Sequence, residues 1–185
     1  MRVLRAGDYR LMPWKNGGGV TTEIIVSPAG AGLDDFDWRI SMAKVESGGP
    51  FSSFANIDRT LSVLEGEGIE LAIAGRNKVR LDRTTPPLPF PADAPTEADL
   101  IGGPILDLNV MSRRGRRSHT VRRVNLSTPL TLTSQADIVI VFDGNGVVDV
   151  EAPDPVRLGL HDAIVLEPGE LPIRFEPVQS ATFFI

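Results

Sequence analysis

Cysteine is absent from this 185-residue sequence. Its absence excludes disulfides and thiolate metal sites. Histidine is nearly absent: His119 and His161 are the only two, and they lie far apart in the chain. Excess positive charge is missing as well. The formal net charge is −5, so the chain as a whole does not read as a nucleic-acid binder. No stretch approaches the roughly 18 apolar residues of a membrane-spanning helix. The start, Met1–Asp8, lacks the apolar core of a secretory signal. The expectation is a cytoplasmic protein with no membrane partner. No segment carries a convincing amphipathic helical period. The two nucleotide phosphate loops are missing too. G-x-x-x-x-G-K-[ST] fails because Lys15 precedes the glycines, and G-x-G-x-x-G fails because β-branched residues follow.

What remains is strand and turn. Eighteen glycines and 15 prolines are many for a helical protein, and 42% apolar residues suffice for a sizeable core. The length fits one domain or two small ones. Alternating apolar residues predict strands over 20–26, 38–45, 60–65, 69–74 and 105–111. Further strands are predicted over 121–126, 130–133, 138–142, 147–150, 163–166, 173–175 and 181–185. Six prolines between Thr84 and Pro104 read as connector, with a short acidic helix over 96–100. In the strand 38–45, Trp38, Ile40 and Met42 share one face, and Arg39, Ser41 and Ala43 the other. That second face either meets water or, if the sheet curves into a barrel, lines a pocket.

The stretch Met12–Glu23 concentrates the chemistry. Trp14, Lys15 and Asn16 stand directly before Gly17, Gly18 and Gly19. Three glycines in a row cost backbone entropy, which a chain keeps where it must turn with φ > 0 or approach something closely. One reading is a tight turn entering a strand. The other is an anion site, with glycine N–H groups exposed beside the Lys15 ammonium and the Asn16 amide. The two are compatible.

A repeat runs through the chain. Val63–Leu71 and Val141–Asp149 both read as apolar strand, acid, Gly, polar residue, Gly, strand. Each is expected to fold as a hairpin around its glycines. This hairpin looks like the central hairpin of cupins, small antiparallel jelly-roll barrels. The resemblance implies two barrels in one chain. Metal-binding cupins follow G-x5-H-x-H-x3,4-E-x6-G. Anchored on Gly66, that pattern puts Arg59 at the Glu position and Ser52 and Phe54, or Ser53 and Ala55, at the His positions. None of these is a good ligand, and a guanidinium repels a cation. No metal and no other cofactor is expected. A guanidinium at Arg59 suits a carboxylate held in a bidentate fork. The alternative is a protein partner, Asp58 or another acid at the barrel rim.

Several segments together resemble the HutD/Ves family over essentially the whole chain. They are Pro13–Gly19 with Thr22 and Glu23, Trp38–Ser41, and Gly49–Ser52 with Phe54, Asp58 and Arg59. Asp107–Met111 with Arg113–Gly115 completes the set. The resemblance implies a bicupin. For the HutD branch it implies a non-enzymatic or regulatory role in histidine catabolism, and for the Ves branch a link to stress response. No firmly established catalytic activity comes with it.

Arg113, Arg114, Arg116, Arg117, Arg122 and Arg123 form a local basic run. It reads as a solvated loop or rim, or as carboxylate recognition by Arg113 or Arg114. It lacks the aromatic interleaving of a nucleic-acid site.

The expected protein is therefore an all-β bicupin, with barrels over 1–105 and 106–185, that binds a small anionic metabolite such as urocanate or formylglutamate. Ligand contacts are expected from Trp14, Lys15, Asn16, Gly17, Gly18, Gly19, Thr22, Glu23, Arg39, Ser41, Phe51, Ser52, Phe54, Arg59, Asn109, Met111 and Arg113. The alternative is a metal-independent isomerase or hydrolase, with Glu23 as general base and Lys15 or Arg59 as electrostatic stabiliser. A third class is an interaction module that uses barrel edges. A homodimer is open to either.

Overall fold

The computed structural model describes residues 1–14, 17–133, 136–144, 148–151, 156–170, 173–177 and 181–185. In chain order the first strands are β1 (Arg2–Leu4), β2 (Arg10–Pro13), β3 (Gly19–Ser27), β4 (Trp38–Val45), β5 (Gly49–Pro50) and β6 (Ile57–Glu65). There follow β7 (Ile69–Ile73), β8 (Val79–Leu81), β9 (Leu88–Pro91), β10 (Thr96–Leu100) and β11 (Ile105–Arg113). The last are β12 (Arg123–Leu126), β13 (Leu130–Leu132), β14 (Ile138–Phe142), β15 (Val148–Glu151), β16 (Val156–Leu158), β17 (Ala163–Leu166), β18 (Ile173–Pro177) and β19 (Ala181–Phe184). One 3-10 turn, Ala6–Asp8, completes the elements. Among the described residues no helix is long and apolar enough to cross a membrane.

The chain divides into two units. The unit Arg10–Val121 holds a six-stranded sheet, in the order β2-β3-β4-β11-β6-β9, and a four-stranded sheet, β5-β10-β7-β8. Its core is shared between the sheets: Leu61, Val63, Phe90 and Ile105 from the first meet Leu71, Ile73, Leu81 and Ala98 from the second. The other unit joins Met1–Tyr9 to Arg122–Ile185. Its sheets are β1-β17-β14-β19-β12 and β13-β18-β15-β16, and Ile140, Phe142, Phe183, Phe175 and Leu158 are fully buried between them.

This division differs from the expected boundary between residues 105 and 106. That boundary would hand β11 to the second barrel. Instead β11 runs between β4 and β6, in the middle of the six-stranded sheet. The sequence repeat is also built differently from a hairpin. β6 pairs with β11 and β9, whereas β7 pairs with β10 and β8. The Gly66-Glu67-Gly68 turn therefore carries the chain from one sheet to the other. Gly66 sits at φ +92, and a Cβ there would lie 2.6 Å from the Pro104 carbonyl oxygen. The second copy likewise connects two sheets through β14 and β15, although residues 145–147 of its turn lie outside the described residues.

The acidic segment 96–100 is a strand, not a helix. Thr96 and Ala98 point inward and are buried, while Glu97 and Asp99 point out, the period of two that a strand requires. β9, with its prolines, lies at the sheet edge, where a missing N–H breaks no inner ladder.

Candidate functional site

The cavity in the Arg10–Val121 unit follows from register. Met111 of β11 has Arg39 of β4 on one side and Arg59 of β6 on the other. Asn109 lies between Ser41 and Leu61 in the next inward-facing row, and Asp107 between Ala43 and Val63 in the one after. Side chains two residues apart share a face, so these rows present Arg39, Ser41, Arg59, Asp107, Asn109 and Met111 together. They line a cavity of about 590 Å³, closed further by Trp14, Gly18, Phe51, Ser52 and Phe54. Two register irregularities border it, one in β3 between Glu23 and Ile25 and one in β11 between Leu106 and Asp107. Bulges of this kind re-aim side chains beside sites. The first breaks the simple alternation expected over 20–26.

Arg59 is 5% exposed. Its guanidinium carbon lies 5.3, 5.4 and 5.8 Å from the ring centroids of Phe51, Phe54 and Phe90. Such stacking on aromatic faces stabilises a desolvated cation. Nη2 donates a long hydrogen bond to the Ser52 carbonyl at 3.4 Å and approaches Met111 Sδ at 3.8 Å. Nε is buried and has no partner among the described residues. Burial pushes the group down to about 10, Asp107 pulls it up and Arg39 pulls it down. It remains a cation at neutral pH. The alternative partner for Arg59, Asp58, instead pairs with Arg114 Nε at 2.7 Å.

Arg39 is 4% exposed and already matched: its Nε donates to Glu23 Oε2 at 2.7 Å and its Nη1 to Ser41 Oγ at 3.3 Å. Glu23 lies across from Ser41 in the same row, with its carboxylate taken up by Arg39, and it is not among the residues that line the cavity. Asp107 is the acid that does face it. It is 1% exposed, and Asn109 Nδ2 donates to its Oδ1 at 2.5 Å. Burial pushes its carboxyl up to about 7, against the pull of Arg59 and of the Asn109 hydrogen bond. No ion pair forms between Asp107 and Arg59 among the described residues. A carboxyl tuned to near 7 in a cavity is suited to proton transfer.

Of the residues expected at the site, Trp14, Gly18, Arg39, Ser41, Phe51, Ser52, Phe54, Arg59, Asn109 and Met111 line the cavity. Lys15 and Asn16 lie outside the described residues. Thr22 faces away; Thr21, one residue earlier, lines the cavity and accepts a hydrogen bond from Trp14 Nε1 at 2.7 Å. Gly17 sits in the turn and Gly19 opens β3, and neither lines the cavity. The Gly17 N–H donates to the Trp14 carbonyl at 3.1 Å, so it is not an open anion donor. A Cβ at Gly19 would meet the Lys44 carbonyl oxygen at 2.3 Å, which explains the glycine by close backbone approach.

Arg113 is also elsewhere. It donates to the Phe36 and Asp34 carbonyls at 2.9 and 2.8 Å and stacks on Phe36, clamping the loop before β4. Arg114 binds the carboxylates of Asp58 and Asp93, and Arg116 that of Asp37. These three arginines hold loops together through the protein's own acids and carbonyls.

Asp107 stands in a family segment but is not among the expected ligand contacts, although it lines the cavity. Its signal was present: an acid inside an apolar strand, on the face of Asn109 and Met111. Ser47 and Gly48, which also line the cavity, gave no signal beyond a turn, whereas Gly49 and Pro50 stand in one of the family segments.

The positions at which metal-binding cupins carry ligands hold Ser52, Phe54 and Arg59, all on the cavity wall. A phenyl ring and a guanidinium do not fit a metal ion. Among the described residues no group of three or more His, Asp or Glu side chains could hold one.

An all-β, cupin-like protein with a cationic, aromatic-walled cavity is what the fold and the site define. The structure resembles the oxalate decarboxylase of Bacillus subtilis, with a TM-score of 0.65 over 100% of this chain and 76% of that one. At 9% identity that likeness concerns the fold alone. The HutD family model matches residues 6–183, and the chain belongs to the HutD family. It is 37% identical over 174 residues to the uncharacterized 21.2 kDa protein in the hutC 3' region of Pseudomonas putida, covering 90% of this chain and 87% of the relative. It is 36% identical over 141 residues to Protein Ves of Citrobacter koseri, covering 74% and 72%. The solved structure of HutD from Pseudomonas fluorescens SBW25 is similar at 34% identity and a TM-score of 0.81, covering 99% of this chain and 96% of that one.

Proposed function

We propose that this chain is a metal-free bicupin, two jelly-roll barrels in one polypeptide, that binds a small anionic metabolite in the unit Arg10–Val121. Two pairs of antiparallel sheets, each pair packed over an apolar core of its own, support the two-barrel reading. The binding reading rests on one observation. Arg59 is a buried cation with three aromatic walls and, among the described residues, an unpartnered Nε and no carboxylate in ion-pair range. A buried charge without a counter-charge is costly, and a ligand carboxylate would supply both the charge and the acceptors. The cavity volume suits a small metabolite. The hut names of two relatives motivate urocanate and formylglutamate as ligands, and an accessory or regulatory role in histidine catabolism as the setting. Formate, the condition named for the Pseudomonas fluorescens HutD structure, is the simplest probe. Thermal-shift measurement with these three tests the reading. A ligand at 100 times its Kd raises stability by roughly 2.7 kcal/mol. No shift with any of them, or an equal shift in Arg59→Ala, removes it.

One observation favours a second reading, a metal-independent isomerase or hydrolase of a small carboxylate. It is the Asp107 carboxyl, buried in the cavity and pushed up to about 7. In that reading Asp107, not Glu23, is the general base. Proton NMR of urocanate or formylglutamate incubated with the protein decides it. Turnover lost in Asp107→Asn supports an enzyme, and unchanged substrate excludes activity on these two.

A further inference from the structure

Among the described residues, the cavity wall carries one cation without a counter-ion, Arg59, and one acid without an ion pair, Asp107. Arg39 and Glu23, facing from β4 and β3, match each other at 2.7 Å. That leaves Arg59 on β6 and Asp107 on β11 as the charges that decide the balance. Asn109 donates to one oxygen of Asp107, and the Ala43 backbone contributes a second hydrogen bond to it. Ser41 and Thr21 add neutral hydroxyls, and Trp14, Phe51 and Ala98 are uncharged. A ligand carboxylate on Arg59 would put a second negative group into the cavity lined by the buried Asp107 carboxyl. Two carboxylates facing one cation, one of them buried, do not both stay ionised.

We propose that Asp107 takes up a proton when a carboxylate docks on Arg59, so that the cavity admits its ligand as a carboxylate together with one proton. The inference rests on the carboxylate-binding reading above. Arg59 is the one charge that holds the Asp107 carboxyl down; a ligand that neutralises Arg59 removes this pull and leaves burial to act alone. The uptake balances simply. A proton comes from solvent to a carboxylate oxygen of Asp107, and no bond in the ligand changes. The protonated acid then offers an O–H donor to the cavity. Among the described residues a second ligand carboxylate would find no unmatched cation, so these residues favour one carboxylate.

Calorimetric titration of formate and acetate from about pH 5.5 to about pH 8.5 tests this, since both probes stay ionised throughout. Parallel titrations use two buffers of different ionisation enthalpy. The expected result above about pH 7 is a Kd that rises by up to tenfold per pH unit, with a buffer-dependent heat approaching one proton taken up per ligand. Asp107→Asn, the neutral isostere, should bind with a flat pH profile near the acid limit of the wild type and without buffer dependence. Wild-type binding that is equally tight across the range, with no buffer-dependent heat, overturns the inference and leaves the binding reading standing. A slope of the same size in Asp107→Asn also overturns it. Absence of binding at every pH removes both. The buffer comparison on the wild type stands alone if the variant does not fold.

Discussion

Arg59 and Arg39 are both buried arginines on one sheet face, yet their neighbours differ. Among the described residues Arg39 has a protein acid in ion-pair range and Arg59 has none. Arg59→Ala should weaken carboxylate binding by roughly 2–5 kcal/mol, and Arg59→Lys should also lose affinity because an ammonium cannot form the planar fork. Arg59→Met should keep or raise the melting temperature of the ligand-free protein, since it removes a desolvated charge. Arg39→Met should instead destabilise by about 3 kcal/mol, because it strands Glu23. Calorimetry and thermal melts of the set separate the roles; an Arg59→Met protein that melts well below the wild type would make Arg59 a core residue. Asp107 carries a pH signature of its own. The folded carboxyl, pushed from 3.8 to about 7, holds its proton more tightly than the unfolded chain does. Its contribution to stability is full below about pH 4 and is lost as pH rises through about 7, by at most on the order of 4 kcal/mol. Denaturant unfolding at pH 5 and pH 8 should therefore show Asp107→Asn gaining on the wild type at the higher pH. The two arginines were legible in the sequence because each stands in a motif beside aromatic or polar neighbours. Asp107 was not singled out because its importance depends on which residues register places across from it, and register is a property of the sheet.

At the scale of the element, alternation fixed most long strands to within a residue or two. It failed where side chains stop reporting the backbone. The prolines of β9 hide a strand that tolerates them only because it lies at an edge. The acids of β10 imitate a helix because only its alternate residues meet the core. The glycine turn after β6 was read correctly as a turn and wrongly as a hairpin, since local sequence does not say which sheet the next strand joins. The turn makes its own prediction. Gly66→Ala combines positive φ with a clash against the Pro104 carbonyl and should cost about 3 kcal/mol. Gly75→Ala, at φ +77 with open space around it, should cost about 1 kcal/mol. Equal losses in urea unfolding would show that the close approach at Gly66 relaxes freely.

At the scale of the whole molecule, the all-β class was readable from composition and the family from four motifs. The division into units was not. The repeat located two sheet-changing turns, but the partners of β11 and of β1 are long-range pairings that no local pattern encodes. β1 pairs with β17 along Arg2–Val165, Val3–Ile164 and Leu4–Ala163. Arg5 adds an ion pair to Asp162 at 2.7 Å, and the Tyr9 hydroxyl donates to the His161 carbonyl at 2.9 Å. Deleting residues 1–9 should therefore lower hydrogen-exchange protection in β17 while leaving carboxylate affinity unchanged, because every residue lining the cavity lies between Met12 and Met111. Loss of ligand affinity in the truncated protein would contradict that independence.

The same pairing sets an order of events during synthesis. Residues 10–121 are contiguous and have every strand partner they need once Val121 has left the ribosome. β1 is in the opposite position: Arg2 waits for Val165. At 5–20 residues per second that wait is on the order of 10 s. Throughout it β1 is a tethered, unpaired strand, and the unit that carries the cavity is free to close before the unit that holds β1.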